Sequence, residues 1–260
     1  TVVGFSSDEA YQADFGPFTP GFKIVPYGDL AAVEAAMNGN VCAMLIEPIQ
    51  GEAGIIMPPA GYLQALRKLA DKHNCLLISD EIQAGLGRTG KMLCCQHENV
   101  RPDLVILGKA LSGGVYPVSA VVGDDKVLSV FEPGSHGSTY GGNPLGAAVA
   151  RTALSVLVDE GMVENSRKLG AYALERLRKL NSPHIKDVRG LGLWIGIEVH
   201  EATGGARPFC EALRDLGMLC KETHDYVIRF APPLMISKED LDWALAQLEA
   251  VLSGPVPAAK

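Results

Sequence analysis

Short apolar runs separated by polar turns dominate the first half of the chain. They occupy residues 41–49, 75–78 and 104–107. Runs of this length, each ending in polar or turn-forming residues, predict buried strands. Between the first two runs, residues 60–72 repeat leucine at three-residue steps with lysine and arginine in between, which predicts an amphipathic helix. The order of strand, helix, strand, loop and strand predicts a parallel α/β sheet covered on both faces.

The pattern changes after residue 143. Two long helical segments, 144–158 and 162–181, are separated by Asp159-Glu160-Gly161. Strand patterns at 188–199 and 227–231 then alternate with helical patterns at 207–216 and 238–252. The change predicts two domains: residues 1–158, part of a larger α/β domain with its connecting helix, and residues 159–260, a smaller α+β domain.

Each of the three predicted strands of the first domain ends in a polar residue. These residues are Glu47, Asp80 and Lys109. Any one of them alone is more often an ordinary solvated loop residue. Because ligands of open α/β sheets bind beyond the carboxyl ends of the strands, we expect the three side chains to converge on one crevice.

Lys109 and Asp80 suggest a specific chemistry. A lysine directly after an apolar strand is expected to be buried, and burial favours the neutral amine, which can attack an aldehyde. An aspartate at the end of a neighbouring strand could keep a cofactor's pyridine nitrogen protonated, as in enzymes that use pyridoxal 5′-phosphate (PLP). The sequence therefore makes Lys109 a candidate nucleophile and Asp80 its candidate cofactor partner.

The composition is that of a folded protein, since 47% of the 260 residues are hydrophobic and 20% are charged. Asp and Glu outnumber Lys and Arg by 30 to 23, so the net charge is −7, and no basic run could neutralise a phosphate backbone. No apolar stretch approaches the ~20 residues of a membrane span. The six cysteines follow no disulfide spacing, which indicates reduced intracellular thiols. We therefore expect neither a nucleic-acid nor a membrane partner.

Two other motifs suggest different chemistry more weakly. Residues 85–90 match the G-x-G-x-x-G spacing of dinucleotide-binding proteins, but four residues separate them from the preceding strand end and no acidic strand end follows at the required distance. Cys94-Cys95-Gln96-His97 has no second ligand pair at zinc spacing, which favours buried thiols over a metal site. An NAD-dependent oxidoreductase is thus an unfavoured alternative, and no metal is expected.

Five segments carry a resemblance to a known family. They are LIEPIQGEAG (45–54), LLISDEIQAGLGRTGK (76–91), LGKALSGGVYPVSAVVG (107–123), GSHGSTYGGNPLGAAVA (134–150) and IRFAPPL (228–234). In this order they resemble the class III (omega) aminotransferases, which are PLP enzymes of fold type I. The resemblance implies a mostly parallel large-domain sheet with helices on both faces, a smaller α+β C-terminal domain, and PLP as cofactor.

Three segments are more similar in sequence to family members that act on ornithine than to those that act on acetylornithine. They are SGGVYPVSA, HGSTYGGNPLG and IRFAPPL. It implies transfer of the δ-amino group of L-ornithine to 2-oxoglutarate, giving glutamate 5-semialdehyde and glutamate, in arginine and proline metabolism. The resemblance also implies a cytoplasmic or mitochondrial-matrix enzyme. An acetylornithine or other omega-aminotransferase, and a non-catalytic truncated paralogue, are the alternatives within this resemblance.

The resemblance assigns four residues to the cofactor's ring and aldehyde. Lys109 would hold PLP covalently and move the proton between the substrate's Cα and the cofactor's C4′. Asp80 would pair with the pyridine nitrogen, Ile82 would pack on one face of the ring, and Gln83 would hydrogen-bond its phenolic oxygen.

Four further residues are implied to act on phosphate and substrate. Ser138 and Thr139 would reach the PLP phosphate of a neighbouring subunit, which implies a homodimer or higher homo-oligomer with shared active sites. Arg229 would bind the α-carboxylate of glutamate or 2-oxoglutarate, and Glu52 would pair with Arg229 when ornithine enters. An enzyme that accepts both a dicarboxylate and a diamino acid needs such a movable carboxylate, because a guanidinium is a permanent carboxylate receptor.

Some features of the family pattern are missing from this sequence. The phosphate-binding glycine turn, the aromatic residue that stacks on the second face of PLP, and the residues that receive ornithine's α-carboxylate lie upstream of the quoted segments in the family. The sequence begins at Thr1 without these features. We therefore expect it to be the C-terminal portion of a longer enzyme, without its targeting region, with a truncated paralogue as the alternative.

Overall fold

Two four-stranded sheets organise the computed structural model, which describes residues 1–257. Residues 258–260, the end of the predicted second domain, lie outside the described residues. The helices are α1 (Glu9–Gln12), α2 (Leu30–Ala36), α3 (Tyr62–His73), α4 (Asp125–Leu128), α5 (Pro144–Asp159), α6 (Met162–Arg178), α7 (Arg207–Asp215) and α8 (Lys238–Ser253). The strands are β1 (Ala43–Ile46), β2 (Leu76–Asp80), β3 (Leu104–Leu107), β4 (Ala120–Gly123), β5 (Ile185–Leu191), β6 (Trp194–Val199), β7 (Lys221–Thr223) and β8 (Val227–Phe230). Short 3₁₀ helices occur at Val2–Phe5, Cys94–Glu98, Lys109–Ser112 and Glu201–Thr203.

The first sheet confirms the three predicted strands and the α/β class. Its order is β1-β2-β3-β4, with β1, β2 and β3 parallel and β4 antiparallel to β3. Helix α3 connects β1 to β2, as the leucine spacing predicts, and buries Leu63, Leu66 and Leu69 against the sheet. The short edge strand β4 was not predicted.

The two faces of this sheet differ within residues 1–257. In β2, Leu77 belongs to the core that α3 covers, whereas Ile78 points to the opposite face. On that opposite face Leu45 is 46% exposed and Val121 is 53% exposed. Among residues 1–257, therefore, one apolar face of the first sheet is open, and strand alternation places Asp80 on this face at the carboxyl end of β2.

The second sheet is antiparallel, with the order β5-β6-β8-β7. The single strand predicted at 188–199 is wrong, because it is a hairpin of β5 and β6 that turns at Gly192. Gly192 has φ of +56°, and a Cβ there would lie 2.5 Å from the carbonyl carbon of Thr89. Apolar residues on both sides of the turn concealed the break.

Helices α6, α7 and α8 cover one face of this second sheet. Ile195, Ile197 and Ile228 are fully buried there, and Phe209 and Leu245 are fully buried on the helices above them. The boundary predicted at 158/159 falls at the end of α5 and remains a prediction. Within residues 1–257, no helix has both the length and the apolar character that crossing a membrane requires.

Candidate active site

Lys109 stands where β3 gives way to a 3₁₀ helix. Its φ is +43°, in the left-handed region that side-chain-bearing residues rarely adopt. Contrary to the expectation of burial, its side chain is exposed. Together with Ser112, Tyr116 and Pro117, it lines an open cavity of about 430 Å³. The reactive-lysine position is thus a strained turn at the edge of a cleft.

Asp80 and Glu47 lie half-buried near Lys109. Burial raises the pKa of Asp80, while the backbone N–H of Ile82, 3.0 Å from Oδ1, and the charge of Lys109 oppose that rise. Burial likewise raises the pKa of Glu47; Asp80 contributes to this rise and Lys109 opposes it. These mutual effects agree with the predicted convergence of the three strand ends.

Glu81, next to Asp80, has a structural role that the sequence did not reveal. It is fully buried, and its carboxylate accepts hydrogen bonds from the backbone N–H groups of Cys94, at 2.7 Å, and Cys95, at 2.9 Å. The Ser79 hydroxyl lies 3.2 Å from the same carboxylate. Of two adjacent acids, therefore, Glu81 holds the 94–98 segment in place, and Asp80 is half-buried where the charge of Lys109 acts on it.

Ile82 and Gln83 follow Asp80 in a turn that packs tightly on its neighbours. A Cβ built on Gly108, directly before Lys109, would lie 3.4 Å from the Ile82 side chain. A Cβ on Gly51 would lie 2.8 Å from the Gln83 amide nitrogen and 2.7 Å from the Trp194 ring. Only glycine fits at position 51 without a shift, so Gln83 lies against the loop that carries Glu52.

Ser138 and Thr139 lie on an exposed segment before α5. The Ser138 hydroxyl accepts a hydrogen bond from the Gly141 N–H at 2.9 Å. Asn143 caps α5 by accepting from the Gly146 N–H at 2.8 Å. The segment is held locally, and its two hydroxyl-bearing residues face outward.

Glu52 and Arg229 form the ion pair that the resemblance implied. Arg229 donates to Glu52 Oε1 at 2.9 Å, and Lys221 Nζ lies 3.5 Å from Oε2. Partial burial raises the pKa of Glu52, but the Arg229 hydrogen bond and charge, then Lys221 and Lys109, hold it below its usual value. The Glu52 side chain is 46% exposed, so this pair adds only about 0–1 kcal/mol to stability.

The loop at residues 50–56 that carries Glu52 rests on the face of the second sheet opposite the helices. One cross-strand row on this face consists of Arg189, Gly196, Arg229 and Lys221. Arg189 donates to the carbonyl of Gly54 at 2.8 Å. A Cβ on Gly196 would lie 3.2 Å from that same carbonyl oxygen. The glycine leaves the space in which the loop sits.

Sequence reasoning missed Arg189, Lys221 and Thr223, whose hydroxyl donates to the Glu52 carbonyl. Nothing local marks them, because they reach the site through strand register. The loop they hold is strained: Ile55 is fully buried with φ of +53°.

A larger cavity, of about 520 Å³, lies between β7, β8 and α8. Arg229, Lys221 and Trp243 are among its lining residues. Neither Lys109 nor Asp80 is among its lining residues. Lys109 lines the smaller cavity instead, and Asp80 lies near Lys109 without lining either of these two cavities.

The two weaker motifs have structural explanations. Residues 85–90 form a turn rather than the start of a helix, and a Cβ on Gly90 would lie 2.8 Å from the Cα of Arg167 in α6. Cys94 and Cys95 are buried, and burial raises the pKa of the Cys95 thiol to about 12. Within residues 1–257, no three His, Cys, Asp or Glu side chains are grouped to hold a metal ion.

Comparison with known proteins is consistent with this geometry. The family model for aminotransferase class III matches residues 1–252. The chain is 59% identical over 252 residues to the ornithine aminotransferase of Brevibacillus brevis and covers 97% of itself but 62% of that protein. It thus spans about three fifths of the length of such curated relatives.

Solved structures of aminotransferases also match most of this chain. The ornithine aminotransferase of Toxoplasma gondii, crystallised with oxidised glutathione and with PLP partially occupying its active site, matches with a TM-score of 0.94 at 43% identity, over 97% of this chain and 60% of that one. An acetylornithine aminotransferase from Elizabethkingia anophelis matches with a TM-score of 0.86 at 46% identity, over 90% of this chain and 63% of that one.

Proposed function

The chain belongs to the class III aminotransferases, and on that premise we propose that it carries the lysine, the ring-nitrogen partner and the substrate gate of a PLP-dependent ornithine δ-aminotransferase. The reaction transfers the δ-amino group of L-ornithine to 2-oxoglutarate and yields glutamate 5-semialdehyde and glutamate. The observation that carries the proposal is the Glu52–Arg229 ion pair, at 2.9 Å. This pair lies close enough to Lys109 for the lysine charge to lower the pKa of Glu52.

The pair suits an enzyme with two unlike substrates. Arg229 offers a guanidinium to the α-carboxylate of glutamate or 2-oxoglutarate. Glu52 occupies that guanidinium when ornithine binds, so ornithine's own α-carboxylate cannot dock there and its δ-amine is presented instead. A pair this exposed contributes little to stability, which supports a role in selecting substrate.

The residues around Lys109 fit PLP. When bound, PLP supplies an electron sink for the charge that develops at the carbon bearing the reacting amine, which is Cδ in ornithine and Cα in glutamate. Burial disfavours the ionised form of Asp80, so its carboxylate gains by facing a cationic ring nitrogen and holding the proton there. In that arrangement Ile82 would pack against one ring face and Gln83 would donate to the phenolic oxygen. Lys109 would hold PLP covalently and carry the proton at the carbon that bears the reacting amine, Cδ of ornithine or Cα of glutamate.

The proposed assembly is a homodimer with shared active sites. Ser138 and Thr139 lie on an exposed segment and would donate their hydroxyls to the phosphate in a neighbouring subunit. We place the enzyme in the cytoplasm or the mitochondrial matrix.

An acetylornithine aminotransferase is the second candidate, because a solved structure of that activity is 46% identical to this chain and that of the Toxoplasma gondii ornithine enzyme is 43% identical. One experiment separates the two. The PLP-loaded enzyme is given ornithine labelled with ¹⁵N at the δ position and 2-oxoglutarate, and the label is followed by mass spectrometry. We expect ¹⁵N in glutamate, with kcat/KM for ornithine above that for N-acetylornithine. A higher kcat/KM for N-acetylornithine would assign the second candidate, and no transfer from either would refute the proposal.

A further inference from the structure

A gate that works by moving a carboxylate needs a second position for that carboxylate. When a dicarboxylate binds Arg229, Glu52 loses the cation that now holds it at 2.9 Å. An unpaired Glu52 left in place would repel the incoming carboxylate, since like charges a few ångströms apart disfavour each other. How readily Arg229 becomes free to bind a dicarboxylate therefore depends on which group pairs with the Glu52 carboxylate afterwards.

The backbone of Glu52 is pinned, so its side chain is the part that can move. The Thr223 hydroxyl donates to the Glu52 carbonyl, and Arg189 donates to the Gly54 carbonyl at 2.8 Å. Gln50 and Ile56 close the base of the loop with two backbone hydrogen bonds, of 3.1 and 2.9 Å. The receiving group must therefore lie within reach of a side-chain rotation.

Lys221 meets this requirement. Its Nζ is 3.5 Å from Glu52 Oε2 while Arg229 holds Oε1. Lys221 lies directly opposite Arg229 on paired strands, a placement in which Cβ atoms are about 4.5–5.5 Å apart. The Lys221 side chain is 62% exposed and that of Arg229 is 21% exposed, so a carboxylate that passes from Arg229 to Lys221 moves outward.

We propose that Lys221 is a specificity-determining residue, which receives the Glu52 carboxylate when a dicarboxylate takes Arg229. This inference rests on the proposed function, because it presumes that Glu52 alternates between two states. A lysine is well suited to this role, because its compact charge on a flexible stem follows the carboxylate, whereas the planar arginine fork stays to bind the substrate.

Lys109 is the third cation that acts on Glu52, and its effect is smaller than that of Lys221. In the proposed enzyme, Lys109 is committed to the cofactor. Lys221 therefore remains as the receiver, and it lies on the edge strand β7 and does not line the Lys109 cleft.

The test measures binding of glutarate, a dicarboxylate with no amino or keto group, to the PLP-loaded enzyme by isothermal titration calorimetry. Lys221→Met should weaken glutarate about twofold to fivefold, the range of an exposed ion pair, and should leave KM for ornithine unchanged or lower. Lys179→Met is the matched control, since Lys179 is also exposed and paired with a glutamate, Glu175, at 2.6 Å. The control should leave both values unchanged.

A double-mutant cycle decides how Lys221 acts. In a Glu52→Ala background there is no carboxylate to receive, so Lys221→Met should then change glutarate affinity by less than about 1.5-fold. An equal loss in both backgrounds would mean that Lys221 contacts the ligand directly, and would overturn the proposal. So would unchanged glutarate affinity in the single variant. Lys221→Arg should recover most of the lost affinity, and no recovery would contradict a role for the charge.

Failure of this inference is distinguishable from failure of the proposed function. The ¹⁵N transfer by the unsubstituted enzyme reports on the function alone. Normal ornithine transamination with no Glu52-dependent effect of Lys221 would leave the function intact and remove Lys221 from the gate.

Discussion

The candidate site has two regions, one around Glu52 (the Glu52 end) and one around Lys109 (the Lys109 end). They differ in how many contacts from residues 1–257 hold their side chains and backbone. At the Glu52 end, Thr223 and Arg189 hold the loop backbone, and Arg229 holds the carboxylate. At the Lys109 end, the lysine itself is exposed, and so is Val121 on the open face of the same sheet. One end is a set of polar contacts between two sheets, and the other is an open cleft beside uncovered apolar surface.

This difference suggests that the two ends have different roles in the proposed reaction. In the proposed function, the contacts at the Glu52 end would select between substrates. The Lys109 end would supply the groups on which both half-reactions depend. Substitutions at the Glu52 end should therefore separate the two half-reactions, and substitutions at the Lys109 end should slow both together.

The largest effect is expected from Lys109→Ala. Loss of the covalent attachment and of the proton carrier should slow both half-reactions by about 10²- to 10⁴-fold or more. Single-turnover kinetics with ornithine and with glutamate provide the measurement. Lys126→Ala, at an exposed lysine in α4, is the control. Near-normal rates in Lys109→Ala, or borohydride reduction that fixes PLP on another lysine, would refute the assignment.

Next in size is the pair of gate variants. Arg229→Ala removes a charge-assisted carboxylate contact worth about 2–5 kcal/mol in a dry site, so 2-oxoglutarate should bind about 30-fold weaker or worse.

Glu52→Ala leaves Arg229 permanently available, so the glutamate half-reaction should be kept or quickened while ornithine reacts more at its α-amine. The same kinetics, with product analysis for ornithine, test both variants. Equal damage to ornithine and glutamate in both would contradict the gate.

The adjacent acids Asp80 and Glu81 should respond in opposite ways. Asp80→Asn removes a charged partner of the ring nitrogen, worth about 1.5–3 kcal/mol, so PLP should bind about tenfold to 150-fold weaker. Glu81→Gln disturbs a buried acceptor of two backbone N–H groups and should lower the free energy of unfolding by about 1–3 kcal/mol. PLP titration and thermal melting of the apoprotein distinguish the two outcomes.

The stability effect of Asp80→Asn has a defined sign. Because burial raises the folded-state pKa of Asp80, the ionised carboxylate disfavours folding at neutral pH, and this penalty disappears as the pH falls below the ordinary aspartate range. The Asp80→Asn apoprotein should therefore melt at the same or a slightly higher temperature at pH 7. A clear drop in melting temperature would mean that Asp80 stabilises the fold.

The smallest effect is expected from Gly196→Ala. The new methyl group would lie 3.2 Å from the Gly54 carbonyl oxygen and 3.3 Å from the Ile55 Cβ, so the 50–56 loop must shift slightly. We expect KM for ornithine to rise about threefold, since small displacements in a site cost modest factors. Gly39→Ala, where nothing lies within 4 Å, is the control. A change in kcat for both substrates, without a change in their ratio, would place Gly196 outside the gate.

Local patterns were sufficient to predict the strands that end at Asp80 and Lys109. Apolar runs report burial, and the rule that ligands bind beyond parallel strand ends places both residues at one edge of the sheet. Patterns were not sufficient for the hairpin at Gly192, because both of its strands are apolar and no polar turn separates them. They also did not distinguish Glu81, fully buried, from Asp80, half-buried, since the two acids are neighbours in sequence.

The sequence by itself determined the α/β class, the strand ends with Asp80 and Lys109, and, through resemblance, the pairing of Glu52 with Arg229. Only the tertiary structure brought Arg189, Thr223 and Lys221 into contact with the loop that carries Glu52. The physical reason is the distance along the sequence between the residues that interact. Burial and turn preference are properties of neighbouring residues, whereas cross-strand register depends on segments that meet only after the chain has folded, as Lys221 meets a loop more than 150 residues before it.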